Sequence, residues 1–175
     1  MISEQFSIKN RDIILLCGST GKPYIKDLPI HFNISHAGDF VVCAISQTEI
    51  GIDIEQVRAV DLKIAKRFFH QSEYEHLLAQ QKSNQLDYFY SLWTLKESYI
   101  KWLGTGLTTP LDSFYFNITD ASILFVGENQ QIMPFFKQFV IEDYKLAVCS
   151  ASNDFPADIE QITIRQILDI FKILT

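Results

Sequence analysis

Cysteine is scarce in this sequence, and its distribution excludes the sites that cysteine usually builds. The three cysteines, Cys17, Cys43 and Cys149, are odd in number and far apart along the chain. This pattern fits neither a disulfide framework nor a zinc site, because the four histidines show no metal-ligand spacing with the cysteines. Each cysteine lies in apolar surroundings, so we expect three buried free thiols.

Positive charge and long apolar runs are also lacking. Fifteen Lys and Arg against 21 Asp and Glu leave a formal charge of −6, which excludes a general attraction to nucleic acid or anionic membrane. The longest apolar runs, such as Ile13–Cys17, are far shorter than the ~20 residues that span a bilayer. Residues Met1–Glu4 lack the basic and apolar regions of a secretion signal. The sequence therefore predicts a soluble, cytoplasmic protein with no nucleic-acid or membrane partner.

The chain contains no Gly/Ser-rich linker, charge run or repeat of solenoid length that would divide it. Its 175 residues, 47% of them hydrophobic, are enough to bury a core. This size is typical of one compact domain or of two small, closely packed halves. An internal boundary would have to fall at a tight turn, and the best candidate lies near Glu49.

Strand patterns occur on both sides of the central part of the chain. The apolar run Phe40–Ile45 predicts a strand buried on both faces. In Gly51–Glu55 the residues alternate, so that the isoleucines point to one face while Asp53 and Glu55 point to the other. Later strands are predicted at residues 113–118, 122–126, 135–141 and 145–150.

Helical patterns fill the middle of the chain. Asp61 is predicted to cap a first turn, and Ser72 with Glu75 matches the capping box of a second helix. A longer helix is predicted over residues 86–103, buried between layers because several of its sides are apolar, and Gly104 ends it. With an amphipathic helix at residues 163–174, the order of elements predicts an α+β fold with helices packed on sheets.

Two acidic residues on one strand are the first candidates for chemistry. Because Asp53 and Glu55 are two apart on a predicted strand, their carboxylates project from the same face and could share one cation. A solvated strand face with the same two residues is the alternative, since structural ion networks also cluster acids.

Glu97 is a third candidate, because it lies close to the apolar side of the long predicted helix. A buried ionised carboxylate needs a cation, a positive side chain or a water-filled cleft beside it. Lys101 stands one turn later and could supply the positive charge. The same spacing is also ordinary helix support, worth about 0.2–0.5 kcal/mol, so the pair alone does not define a site.

If these carboxylates converge, their repulsion calls for a divalent cation. Mg²⁺ accepts a few protein oxygens and completes its octahedron with phosphate and water, which would imply a metal-phosphate site. Lys22, Lys96 and Lys101 could neutralise phosphate oxygens as point charges. Ser35 and His36 would add a hydroxyl and an imidazole, although such residues are also typical of a turn and of a structural hydrogen bond.

Three motifs in this sequence resemble those of the surfactin-type (Sfp-like) 4′-phosphopantetheinyl transferases. They are FNISH at residues 32–36, GIDIE at residues 51–55, and WTLKESYIK at residues 93–101, with Gly104 and Gly106 following. Their order and spacing match the family pattern. The similarity extends through residues 21–24, 65–69, 110–114 and 144–149, so it covers nearly the whole chain.

The resemblance implies an activity and its substrates. The 4′-phosphopantetheine arm of coenzyme A would be transferred to a serine of an acyl or peptidyl carrier protein, with Mg²⁺ required and 3′,5′-ADP released. The implied setting is nonribosomal peptide and antibiotic biosynthesis.

The resemblance also implies roles for single residues. Asp53, Glu55 and Glu97 would hold Mg²⁺ together with the coenzyme A pyrophosphate, and Asp53 would also count among the residues that bind coenzyme A. Glu97 would also be the base that accepts the serine proton, and Lys101 would bind the pyrophosphate and steady the developing charge. The positions that match coenzyme A contacts are Gly21, Lys22, Pro23, Ser35 and His36.

The fold that the resemblance implies is a pair of pseudo-symmetric α/β halves with coenzyme A in the cleft between them. Residues 1–48 would form an incomplete N-terminal half on the coenzyme A side, and residues 49–175 the metal and catalytic half. The stretch Val57–Tyr74 matches the region that receives the carrier protein. A monomer is expected for the family, while sheet edges exposed by an incomplete half would favour self-association.

Two other functions remain open from the sequence. A truncated, inactive module that binds carrier protein or coenzyme A would need no catalytic base. A metal-dependent phosphohydrolase could use the same acids on coenzyme A without any carrier protein.

Overall fold

A computed structural model of the chain describes residues 8–119, 122–127 and 132–174. Residues Met1–Glu4, on which the expected lack of a secretion signal rests, lie outside the described residues. Within the described part of the chain, no helix is long and apolar enough to cross a membrane.

The strands pair antiparallel in four small sheets. Three of these sheets are hairpins: β1 (Leu15–Cys17) with β2 (Pro23–Ile25), β3 (His31–Ala37) with β4 (Phe40–Ser46), and β6 (Phe114–Ile118) with β7 (Ile123–Gly127). The fourth sheet contains β5 (Ile50–Gln56), β8 (Phe135–Ile141) and β9 (Tyr144–Ser150), with β9 in the centre.

The helices are α1 (Ala65–Phe68), α2 (Gln71–Ala79), α3 (Gln85–Leu103) and α4 (Ile164–Leu174). The predicted long helix is confirmed as α3, which packs on β5 and β9. It ends where predicted, because Gly104 adopts a left-handed conformation with φ 67° and donates its N–H to the Ile100 carbonyl at 2.9 Å. Helices packed on antiparallel sheets confirm the α+β class.

The alternation predicted for β5 is also confirmed, and it decides which residues face α3. Ile52 and Ile54 are buried in a core cluster with Leu146 and Val148 of β9. The other face of β5 approaches α3 so closely that a Cβ atom at Gly51 would collide with the Ser98 carbonyl oxygen. A glycine at this position therefore lets Asp53 and Glu55, on the same face, lie against the helix.

A second core cluster surrounds α3 and is rich in aromatic rings. Tyr99 of α3 lies 4.6 Å from the Phe114 ring and 4.7 Å from the Phe125 ring, measured between centroids. The hairpin of β6 and β7 is thereby fixed to the helix. These aromatic contacts bury the apolar sides of α3 that the sequence pattern displayed.

An ion pair inside this cluster joins α2, α3 and β6. The Nζ atom of Lys96 lies 2.7 Å from the Oε2 atom of Glu73, and both side chains are completely inaccessible to solvent. Glu73 also accepts the backbone N–H groups of Phe116 and His70, while Lys96 donates to the carbonyl oxygens of Leu111 and Phe114. Both charges are therefore hydrogen-bonded as well as paired, which is the condition for burying them.

This ion pair explains why the predicted capping box of α2 is wrong by two residues. The helix is capped by His70, whose Nδ1 atom accepts the Ser72 N–H at 3.2 Å. Glu73 completes the capping box by accepting the His70 N–H at 2.9 Å. Because Lys96 draws Glu73 into the core, Glu73 rather than Glu75 occupies the third helical position.

Two predictions about the first strands are wrong. The strand β4 is not buried on both faces, since Val41 is 76% exposed and Cys43 is exposed as well. Cys17 is exposed, so only Cys149 is the buried free thiol expected of all three. The physical reason is that β1 to β4 form two-stranded hairpins, and a hairpin has only one face packed against the rest of the molecule.

The expected division into residues 1–48 and 49–175 stays a prediction. The proposed boundary falls in the turn between β4 and β5. Both β3 and β4 contact β5, so the two parts pack together closely.

Candidate active site

A buried cluster of polar side chains forms where β3, β5 and α3 meet. The Nζ atom of Lys101 lies 2.7 Å from the Oδ1 atom of Asp53 and donates to the Ser35 hydroxyl oxygen at 2.9 Å. Ser35 in turn donates to the same Asp53 oxygen at 2.9 Å. The structure therefore brings together three residues from the three motifs that the sequence singled out.

The cluster is anchored by the backbone of β5. Asn33 accepts the N–H of Ile52 at 2.9 Å, and Ser35 accepts the N–H of Ile54 at 3.4 Å. These bonds fix β3 beside β5 and so hold Asp53 in place. Side chains that hydrogen-bond to a neighbouring backbone are fixed in orientation, which is what a binding site requires.

One carboxylate oxygen in the cluster is buried without a partner. Among the described residues, the buried side-chain N and O atoms that lack a hydrogen bond are Oδ2 of Asp53 and Nε1 of Trp102. Native proteins leave few such atoms unsatisfied, and each one calls for an explanation. Asp53 Oδ2 belongs to the carboxylate that Lys101 and Ser35 contact through its other oxygen.

The acids influence one another electrostatically. Burial raises the pKa of Glu97, and the nearby carboxylates of Asp53 and Glu55 raise it further while Lys101 opposes them. Burial likewise raises the pKa of Glu55, followed by the charge of Asp53, with Arg58 and Lys101 acting against it. For Asp53, burial raises the pKa against the contrary influence of Lys101 and Ser35. The three carboxyls thus form one coupled group.

This coupling predicts the titration of the metal-free protein. We expect the Glu55 and Glu97 carboxyls to titrate above the ordinary value of about 4.3 for glutamate. Because like charges repel, Glu55→Gln should lower the titration midpoint of Glu97. Side-chain carboxyl NMR of the metal-free protein measures both midpoints. Glu142→Gln, a change at a remote residue, is the control and should leave the midpoint of Glu97 unchanged. Ordinary midpoints for Glu55 and Glu97, or a Glu97 midpoint that does not change in Glu55→Gln, would contradict the coupling.

The expected i to i+4 pair of Glu97 with Lys101 is not the main contact of the lysine. Its ammonium group donates to Asp53 and Ser35 instead. Lys101 affects Glu97 through its nearby positive charge, which lowers the pKa of the glutamate against the effect of burial. The prediction that Lys96 faces phosphate is wrong. Lys96 is fully buried and committed to Glu73, because its side chain leaves α3 on the side of the aromatic cluster.

The three acids fit a hard cation by their chemistry, although no group of three or more His, Cys, Asp or Glu side chains among the described residues is arranged to hold a metal ion. All three offer carboxylate oxygens, and Asp53 Oδ2 is an unpartnered acceptor. Mg²⁺ needs only one or two protein carboxylates when phosphate and water supply its other ligands. The residues therefore fit Mg²⁺ arriving with a phosphate-bearing ligand.

A cleft of about 440 Å³ lies at the C-terminal end of α3, and the residues that line it do not include Asp53, Ser35 or Lys101. Its wall combines apolar and aromatic surface with charged side chains, as a nucleotide site does. Its lining includes Lys22, Pro23, Tyr24, His31, Glu49 and Trp102. Lys22 and Trp102 connect the cleft to α3, because the lysine donates to the Trp102 carbonyl at 3.1 Å.

The remaining predicted contact residues are placed differently. Gly21 has a left-handed conformation with φ 86° in the β1–β2 turn, where its N–H bonds the Gly18 carbonyl at 3.0 Å. His36 is exposed and, by the alternation of β3, lies on the opposite face from Ser35. His36 therefore does not join the Asp53 cluster.

The sequence analysis missed His31, Glu49 and Trp102. None of them lies in a predicted acid pair or in one of the three motifs. His31 and Trp102 lie directly beside a motif and Glu49 lies two residues before one, but such positions do not reveal that three separate segments meet at one cleft.

The α+β scaffold thus places three coupled acids and a lysine in one region of the molecule. Comparison with known proteins specifies the class. Residues 49–149 match the family model of the 4′-phosphopantetheinyl transferase superfamily. The chain belongs to this superfamily, as the motifs predicted, and it is a transferase of that class.

Two curated relatives illustrate the extent of the similarity. The 4′-phosphopantetheinyl transferase Sfp of Bacillus subtilis is 44% identical over 171 residues, covering 96% of this chain and 76% of the relative. The 4′-phosphopantetheinyl transferase gsp of Aneurinibacillus migulanus is 36% identical, covering 94% of this chain and 70% of the relative. The chain thus spans roughly three quarters of the length of these relatives.

Solved structures give the same fold. Holo-(acyl-carrier-protein) synthase of Thermotoga maritima superposes with a TM-score of 0.51 and 20% identity, over 59% of this chain and 62% of the synthase. The expected phosphopantetheinyl transferase fold is confirmed.

Proposed function

We propose that this protein transfers the 4′-phosphopantetheine arm of coenzyme A to a serine hydroxyl of an acyl or peptidyl carrier protein and releases 3′,5′-ADP. The observation that carries the proposal is the cluster of Asp53, Ser35 and Lys101, with Asp53 Oδ2 buried and unpartnered. A cleft that includes Trp102, the residue after Lys101, supports it. Family membership supports it, since the named relatives are 4′-phosphopantetheinyl transferases. These substrates also favour a cytoplasmic location.

Mg²⁺ is the proposed cofactor. Asp53, Glu55 and Glu97 would hold it together with pyrophosphate oxygens of coenzyme A. When bound, the ion would neutralise negative charge on the pyrophosphate and make the phosphorus more electrophilic.

Glu97 is the proposed general base. Its half-buried carboxylate would accept the proton of the carrier serine as the serine oxygen forms a bond to the phosphorus. The phosphoanhydride bond breaks, and its electron pair leaves with 3′,5′-ADP. A raised pKa suits this role, because a base works best when its pKa is nearer to the working pH.

Lys101 is the proposed electrostatic partner of the reacting phosphate. Its ammonium group is fixed by Asp53 and Ser35, so little rearrangement is needed to face a pyrophosphate. Lys22, Pro23 and Ser35 are proposed to contact coenzyme A along the cleft. Gly21 would contribute through the shape of its turn, and His36 through the exposed face of β3.

The carrier protein is proposed to dock on Val57–Tyr74. Four basic side chains are exposed there, Arg58, Lys63, Lys66 and Arg67, whereas the protein as a whole is acidic. The exposed Ile64 adds an apolar contact, while Phe69 is buried in the core and does not. This surface fits an acidic partner with an apolar patch.

The proposal is tested by incubating the purified chain with coenzyme A, Mg²⁺ and an apo carrier protein. Mass spectrometry should show the carrier protein gaining one phosphopantetheine arm, and chelation of Mg²⁺ should abolish the gain. Release of 3′,5′-ADP from coenzyme A without carrier protein would instead identify a phosphohydrolase. Coenzyme A binding without either product would identify a binding module.

A further inference from the structure

The lysine of the cleft is already paired with a carboxylate. The Nζ atom of Lys22 lies 2.7 Å from Oε2 of Glu49. The other oxygen of Glu49, Oε1, lies 3.0 Å from Nδ1 of His31. Glu49 thus places one negative charge between the two cationic or potentially cationic groups of the cleft wall.

The two partners of Lys22 differ in how easily they can be replaced. The Trp102 carbonyl belongs to the rigid end of α3 and accepts from Lys22 at 3.1 Å. The side chain of Glu49 is 52% exposed, whereas that of Lys22 is 19% exposed. A ligand can therefore displace Glu49 into water while the Trp102 carbonyl keeps the ammonium group in the cleft.

Displacing Glu49 breaks the same ion pair for every ligand, but ligands differ in what they gain in return. A single inorganic phosphate gains the contact with Lys22 but loses the ion pair that Glu49 made, and it meets the repulsion of that carboxylate. A ligand with several phosphates and a ring system also gains contacts with the apolar and aromatic wall of the cleft. For such a ligand, these further contacts offset the free energy lost when the ion pair between Lys22 and Glu49 is broken.

We propose that Glu49, through its ion pair with Lys22, weakens the binding of single phosphate ions in the cleft. A larger nucleotide such as coenzyme A makes enough further contacts to bind in spite of this cost. The choice of coenzyme A rests on the function proposed above. The effect on phosphate ions depends only on the contacts of Glu49 and Lys22.

The proposal is tested first on anion binding, without catalysis. Phosphorus NMR measures inorganic phosphate binding to the wild type and to Glu49→Gln. A partly exposed ion pair such as that of Lys22 with Glu49 contributes only a small free energy, so losing it should raise phosphate affinity only modestly. We expect a rise of about two- to fivefold in Glu49→Gln. Glu49→Asp keeps the carboxylate and should leave phosphate affinity close to that of the wild type. Glu142→Gln, the same change at an exposed turn residue, should leave phosphate affinity unchanged.

The route through Lys22 is tested by a double-variant cycle. In a Lys22→Gln background, Glu49→Gln should give no further gain in phosphate affinity. In the transfer reaction, Glu49→Gln should change KM for coenzyme A and inhibition by phosphate more than kcat.

Unchanged or weaker phosphate binding in Glu49→Gln would overturn the inference, as would an equal gain in the Lys22→Gln background. A chain that neither binds coenzyme A nor transfers its arm would instead refute the proposed function. In that case the phosphate titrations would still decide whether Glu49 weakens the binding of phosphate to Lys22.

Discussion

Replacing Glu97 with Gln is expected to lower the kcat of phosphopantetheine transfer by about 10²–10⁴-fold, the range typical of losing a general base. Glutamine keeps the size of the side chain and can still donate or accept a hydrogen bond, but it cannot take the proton of the carrier serine. The rate is measured by following the mass of the modified carrier protein at saturating coenzyme A.

The same variant should fold at least as stably as the wild type at neutral pH. Burial raises the pKa of Glu97 in the folded protein, so the ionised carboxylate costs folding free energy at any pH above its unfolded pKa. Removing the charge relieves that cost, and denaturant unfolding measures it. Glu142→Gln on an exposed turn is the matched control. A Glu97→Gln protein that transfers the arm at the wild-type rate would remove Glu97 from the role of base.

Lys96→Met should cause a large loss of stability, about 3–5 kcal/mol in the free energy of unfolding, as expected when one partner of a buried ion pair is removed. The Glu73 carboxylate would remain inside the aromatic cluster without its cation. Denaturant unfolding followed by circular dichroism measures the loss. Methionine keeps most of the aliphatic volume of lysine, so the loss should report the missing ion pair and the missing hydrogen bonds to the Leu111 and Phe114 carbonyls rather than lost packing.

Two further measurements distinguish this cause from general damage. Burial raises the pKa of Glu73, and loss of Lys96 removes an opposing influence. Ionised Glu73 therefore destabilises the variant above its unfolded pKa, and the deficit relative to wild type should shrink as the pH falls. The double variant Glu73→Gln with Lys96→Met should be more stable than Lys96→Met alone. A deficit that is independent of pH and of Glu73 would contradict the account.

The part of the fold that depends on local pattern was predictable from the sequence. The alternation of β5 and the apolar sides of α3 are local signals, because a side chain's direction follows from the periodicity of its own element. They located Asp53, Glu55, Glu97 and Lys101 correctly in their elements. The motif resemblance supplied the family, which the comparisons confirm.

The errors concern features that depend on distant residues. Lys96 looks like a solvent-facing lysine until its partner Glu73, 23 positions earlier, is known to be buried beside it. The cap of α2 follows from the same pair. Likewise, the partnership of Lys101 with Asp53 rather than Glu97 depends on how closely Gly51 allows α3 to approach β5.

The exposure of β4 and two cysteines shows another limit of sequence patterns. An apolar run such as Phe40–Ile45 indicates a strand but not how many of its faces are covered. That depends on whether another layer packs on the hairpin. Within the described residues, the outer face of this hairpin displays Ile34 and Val41 to solvent.

The central claim is that Asp53, Glu55 and Glu97 act together on a magnesium ion that arrives with coenzyme A. Calorimetric titration of Mg²⁺ into the protein, with and without saturating coenzyme A, tests it most directly. We expect binding that requires coenzyme A, weakens as the pH falls because these carboxyls must be deprotonated, and disappears in Asp53→Asn. Coenzyme A binding and transfer that proceed equally well without Mg²⁺, or Mg²⁺ binding that survives Asp53→Asn unchanged, would contradict the claim.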